Sequence, residues 1–116
     1  MHNKRGAWAE DRACRFLEKQ GLELLTRNFR TRMGEIDLIM EDKDTTIVFV
    51  EVRYRKHNYY VSPVQTVNIL KQKRLTRTAL FYLQYVKKQK PFSARFDIIG
   101  VEGNGQNEWI KNAFMM

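Results

Sequence analysis

Asp37, Glu51 and Arg53 are the residues of this chain best equipped for chemistry. They lie in two apolar runs, Gly34-Glu35-Ile36-Asp37-Leu38-Ile39-Met40 and Ile47-Val48-Phe49-Val50-Glu51-Val52-Arg53, joined by a polar break. A carboxylate in such a run is expected to be at least half buried. Burial of that charge is costly unless it is paired or binds a metal. Hard divalent cations such as Mg2+ take oxygen ligands, commonly one or two carboxylates completed by water and substrate phosphate. An ion held this way stabilises developing charge and supplies hydroxide near neutral pH. A cation beside the carboxylates, Arg53, can steady the attacking water or the phosphate. Together these are the parts needed for phosphodiester hydrolysis. A structural ion pair of Asp37 and Glu51 with Arg53 or Arg27 is the plainer alternative.

Two strands must position this set. Residues 34–41 and 46–54 read as strands around a polar hairpin loop, Glu41-Asp42-Lys43-Asp44. The second of these runs is rich in β-branched and aromatic residues and is the best candidate for a central strand. Side chains alternate with period two, so Glu51 and Arg53 share a face, as do Glu35 and Asp37. If the strands pair, Asp37 and Glu51 come close near one end of the sheet.

The remaining elements follow from pattern and punctuation. Residues 6–20 read as a helix with Ala9, Ala13, Phe16 and Leu17 on one stripe, closed by Gly21. Glu10 lies beside that stripe, at the edge of the core. Residues 22–31 read as an imperfectly alternating first strand carrying Arg27 and Arg30, with Arg32 just beyond it. Residues 55–61, with His57, Tyr59 and Tyr60, read as a loop. Ser62-Pro63-Val64-Gln65 has the form of a capping box with proline in the first turn, which predicts a helix from there to about Lys88. Its apolar stripe is Leu75, Ala79, Tyr82, Leu83 and Val86, and Pro91 stops it. Ala94 to Val101 and Glu108 to Ala113 read as the last two strands around a Gly103-Asn104-Gly105 turn.

The chain has 116 residues and a net charge of +8, which predicts one domain with a polyanionic partner, nucleic acid first among them. The candidate phosphate contacts are Arg30, Arg32, Lys71, Lys73, Arg74 and Arg77. The single cysteine, Cys14, excludes an internal disulfide and reads as a small core residue. There is no apolar signal region at the N-terminus and no run of membrane-spanning length, so a cytoplasmic location is expected.

Asp, a short gap, then Glu-x-Lys is the core pattern of the PD-(D/E)xK nuclease superfamily, and this sequence resembles it. It is more closely similar to the YraN-type family of small bacterial proteins, themselves similar to archaeal Holliday-junction resolvases. The matching residues are Gly6, Glu10, Ala13 and Leu17, Asn28-Phe29-Arg30, Gly34-Glu35-Ile36-Asp37-Leu38-Ile39, Phe49-Val50-Glu51-Val52-Arg53, Lys71, Arg74-Leu75, Ala79 and Arg95-Phe96-Asp97. They extend over nearly the whole chain. The resemblance implies a restriction-endonuclease-like α/β fold: a mixed sheet of about five strands flanked by two main helices, in the order α-β-β-β-α-β-β. It implies Asp37 and Glu51 as ligands of Mg2+ or Mn2+, with Glu10, Asp37, Glu51 and Arg53 as the catalytic set. Its implied activity is metal-dependent endonucleolytic cleavage of DNA, branched or damaged forms included. Arg53 stands where the pattern has lysine. Arginine keeps the charge but is planar and permanently protonated. A nucleic-acid-binding module impaired in catalysis is therefore the alternative, and a protein-interaction or homodimeric scaffold with a structural acidic pair is a third reading.

Overall fold

A computed structural model describes residues 4–55, 67–88 and 93–115. The order is α1 (Lys4–Lys19), β1 (Glu23–Thr31), β2 (Gly34–Glu41), β3 (Ile47–Arg55), α2 (Ile69–Phe81), β4 (Ala94–Glu102) and β5 (Asn107–Phe114). The expected α/β architecture and element order are what is found. The five strands form one mixed sheet in the order β1-β2-β3-β4-β5. All neighbours are antiparallel except β3 and β4. Parallel neighbours need a crossover, and α2 lies in it.

β3 is the middle strand, and its alternation serves two cores. Val48 and Val50 pack with Ala9, Ala13 and Leu17 of α1, and with Leu38, Met40, Ile99 and Val101. Ile47 and Phe49 pack with Leu75 and Ala79 of α2, with Tyr82 just beyond it, and with Ile36, Ile39, Phe96 and Ile98. Phe49 and Phe96 are fully buried with ring centroids 5.4 Å apart. Each such side chain contributes roughly 1.5–3 kcal/mol through burial. Cys14 is a buried free thiol, as its helical position suggested.

α1 ends as its sequence predicts. Gly21 adopts φ +99, the Leu22 N–H reaches the Leu17 carbonyl and the Gly21 N–H reaches Glu18. That pair of bonds satisfies carbonyls the helix end would otherwise leave bare. α2 departs from expectation at both ends. The Ser62-Pro63-Gln65 box lies outside the described residues, as do His57, Tyr59, Tyr60 and Pro91. Val67 and Asn68 are not helical, and the described helix starts at Ile69 with Asn68 as its cap. At the other end the chain winds into a π-helical segment, Tyr82–Lys87. That i→i+5 winding shifts the register, so Val86 leaves the apolar stripe and is 51% exposed.

Candidate active site

The β2–β3 ladder pairs Glu41 with Ile47 and runs in register to Leu38 with Val50, where it stops. The next residues on the two strands are Asp37 and Glu51, so the acidic pair sits where the strands part. Ile36 belongs to the core on the α2 side and Leu38 to the core on the α1 side. Residues two apart in a regular strand share a face, so β2 turns over at Asp37. The Asp37 carboxylate replaces the missing ladder bond: its Oδ2 accepts the Val52 N–H at 2.8 Å.

Glu51 is only 4% exposed. The two carboxyl groups are within hydrogen-bond reach of each other, and this contact favours the protonated form of Asp37. Burial is the main cause that raises the Asp37 pKa; the charge of Glu51 adds to it, and that of Glu10 adds less. The Val52 N–H opposes them, and Asp37 is pushed up to about 8. A carboxylate pair so placed is a strong attractor for a cation.

Cations do collect there. Lys71 Nζ lies 2.8 Å from Glu51 Oε2, and Arg53 Nε lies 3.3 Å from the same oxygen. Arg53 therefore shares a face with Glu51, as period two requires. Lys71, read from the sequence only as a phosphate contact, is part of the carboxylate centre. Arg27 is not: its guanidinium binds Asp11 Oδ1 at 2.7 Å and Glu10 Oε1 at 3.3 Å.

Glu10 reaches toward the fork from α1 and is 4% exposed. Asn28 Nδ2 donates to Glu10 Oε1 at 3.1 Å. Asn28 adopts φ +52 in the middle of β1, between the pairs Arg27–Leu38 and Phe29–Ile36, which sets it across from Asp37. Sequence reasoning missed Arg27 and Asn28 as supports of Glu10. The available signal was an asparagine, the residue after glycine most tolerant of left-handed backbone, at a break in strand alternation.

The basic candidates divide. Arg32, Lys73, Arg74 and Arg77 are exposed. Arg30 is exposed too, but it is engaged by Glu35, its cross-strand neighbour. The β1–β2 turn packs on α2: a Cβ on Gly34 would lie 3.1 Å from Thr78 Oγ1 and 3.5 Å from Arg74 Cβ. Glycine admits this approach, and it brings Arg32 beside the basic half of α2. Lys71 lies at the inner end of that rim.

A model of the uncharacterised protein family UPF0102 matches residues 9–101. This chain belongs to that family. A UPF0102 protein of Coxiella burnetii is 53% identical over 113 residues, 97% of this chain and 93% of the relative. One from Nitrosomonas eutropha is 46% identical over 110 residues, 95% and 92% of the two chains. Among solved structures, the chain is similar to an EndoMS–dsDNA2 complex at TM-score 0.37 and 15% identity, over 81% of this chain and 34% of that one. A likeness that distant carries no argument here. The family is the one to which the Gly34–Ile39 and Phe49–Val52 segments pointed.

Among the described residues of this UPF0102 chain, no group of three or more His, Cys, Asp or Glu side chains is gathered for a metal. Asp37 and Glu51 could offer an ion two carboxylates. That suits a hard ion whose other ligands are water and phosphate oxygen, and it does not suit a fully protein-coordinated site such as structural zinc. No described helix is long and apolar enough to cross a membrane.

Proposed function

We propose that this UPF0102 protein binds DNA and hydrolyses its phosphodiester bonds with Mg2+ or Mn2+ held by Asp37 and Glu51. The observation that supports the reading is the meeting of a buried carboxyl group, Glu51, with a half-buried one, Asp37, at the β2–β3 fork beside a basic rim. Two acids meeting in a site largely out of water oppose folding unless cations offset them. The bound ion would supply Lewis-acid stabilisation of the phosphate and a water acidic enough to attack it. The chain's own residues do the rest. The Val52 N–H fixes the Asp37 carboxylate, and Arg27 and Asn28 fix Glu10 on the α1 side. Arg53 offers a permanent charge to a phosphate oxygen and cannot take up a proton. Arg32, Lys73, Arg74 and Arg77 hold the flanking backbone, each lowering the log affinity by about 0.9 per log unit of salt on duplex DNA.

The test is incubation of the pure protein with Mg2+ or Mn2+ and single-stranded, duplex, four-way-junction and damaged DNA. Cleavage by the wild type that is lost in Asp37→Ala and Glu51→Ala is expected. Absence of cleavage on every substrate, or equal cleavage by both variants, overturns the reading. Arg53 in the place of lysine motivates the second reading, a binding module without catalysis, which predicts salt-sensitive DNA binding and intact DNA.

A further inference from the structure

We infer that Lys71 is an exchangeable cation: it balances Glu51 while no divalent ion is bound, and moves to a phosphate of the bound strand when one is. The inference rests on the metal site proposed above. Its ground is crowding on one atom. Glu51 Oε2 already meets Lys71 Nζ at 2.8 Å and Arg53 Nε at 3.3 Å. A divalent ion ligated by Glu51 would bring further positive charge to the same carboxylate, and in a poorly solvated site like charges repel strongly. One cation must give way.

The two are not equally free to do so. Arg53 is on β3 two residues from Glu51, its side chain is 29% exposed, and its head is a rigid plane. Lys71 is a point charge on a four-carbon stem, 38% exposed, that reaches a carboxylate only 5% exposed. Its backbone is held independently of that ion pair: the Lys71 N–H donates to Asn68 Oδ1 at 2.9 Å in the first turn of α2. That turn carries no acidic residue to capture the released ammonium. The next basic residue on the same helix face, Arg74, packs against Gly34 at the exposed rim. An ammonium leaving Glu51 therefore swings toward the surface where the phosphates are proposed to lie.

The consequence is coupling. A divalent ion frees Lys71 for DNA, so each ligand raises affinity for the other, and the coupling is reciprocal. Calorimetry gives Ca2+ affinity, and fluorescence anisotropy of a short duplex gives DNA affinity with and without Ca2+. Lys71→Met is expected to bind Ca2+ about tenfold more tightly in the absence of DNA, the size of one charge-assisted contact removed. In that variant, Ca2+ should improve DNA binding about tenfold less than it does in the wild type. Lys73→Met, a loss of the same charge at an exposed position, should weaken DNA binding equally with and without Ca2+. Lys71→Gln serves if the methionine variant does not fold. Unchanged or weaker Ca2+ binding in the Lys71 variants, or undiminished coupling, overturns the inference while leaving the metal site standing. Wild-type protein whose Ca2+ binding is absent, or is unaffected by Asp37→Asn, overturns both.

Discussion

Asp97 on β4 and Asp37 on β2 are aspartates set into strands of one sheet, and their surroundings are opposite in kind. Asp97 is completely buried. Its Oδ1 accepts from Arg95 Nε at 3.0 Å and from the Asn112 N–H at 2.9 Å, and its Oδ2 accepts from Trp109 Nε1 at 2.9 Å. Arg95 extends the network to Asp42 at 3.1 Å. The β4–β5 register slips between Phe96 and Ile98, and Asn112 takes φ +51 within the slip. Asp97 thus fastens the irregularity to the sheet with a matched charge. At Asp37 the chain supplies one backbone donor and a second acid. The first arrangement makes structure, whereas the second stores unfavourable charge where a cation can relieve it.

The largest expected effect tests the structural half of this contrast. Asp97→Ala takes from the half-buried Arg95 one of its two carboxylates and strands the Trp109 and Asn112 N–H groups. Removing one partner of a buried pair costs about 3–5 kcal/mol. Urea denaturation should show it, and a loss under about 1 kcal/mol would mean the network is ornamental.

Asp37→Asn should behave in the opposite way. Without metal it removes an acid from an acid, and stability should hold or rise. With divalent ion at 100 times its Kd, the wild type should gain about 2.7 kcal/mol and the variant should gain nothing. Thermal melts with Mn2+ and with chelator make the comparison. Equal gains in both proteins would place the ion elsewhere.

The same pair sets a pH dependence. The ordinary Asp37 value is 3.8 and the folded value is about 8, so between those limits the folded state holds a proton the unfolded chain has lost. The stabilisation from this group is complete below pH 4 and fades as pH rises through about 8. The metal-free wild type should therefore lose stability relative to Asp37→Asn across that window. Denaturation of both proteins at several pH values gives the difference directly, and a flat difference would refute the raised pKa.

The contrast also explains what the sequence disclosed. β2 and β3 were legible because apolar runs around a polar loop specify a hairpin, and a hairpin in register sets Asp37 opposite Glu51. Gly21 ended α1 because a left-handed residue is needed there. The start of α2 was not legible in detail. Ser62-Pro63-Gln65 has the stronger local signal, yet Asn68 caps the described helix. The Lys71–Glu51 ion pair was not legible for a related reason: which turn of α2 overlies the end of β3 depends on three-dimensional packing and not on any local pattern. In the sequence Asp97 is a strand residue beside Phe96 whose role stays open. Its partners Trp109 and Asn112 lie on another strand, joined to it by a slip that alternation does not encode.

The smallest expected effect on stability falls on Asn28, and it separates support of the fold from support of the site. A left-handed φ is unfavourable for residues other than glycine by of order 1 kcal/mol. Asn28→Gly relieves that cost but makes the unfolded chain more flexible, so net stability should change by only about 0.5 kcal/mol. Asn28→Ala keeps the strain and should lose about 1 kcal/mol. Both variants take one donor from Glu10 and keep its Arg27 contact. If Glu10 is held for chemistry, both should lose metal-dependent cleavage to a similar degree, about tenfold for one charged hydrogen bond, although their stabilities differ. If cleavage instead follows stability, falling in Asn28→Ala and persisting in Asn28→Gly, then Asn28 and Glu10 belong with Asp97 on the structural side of the comparison.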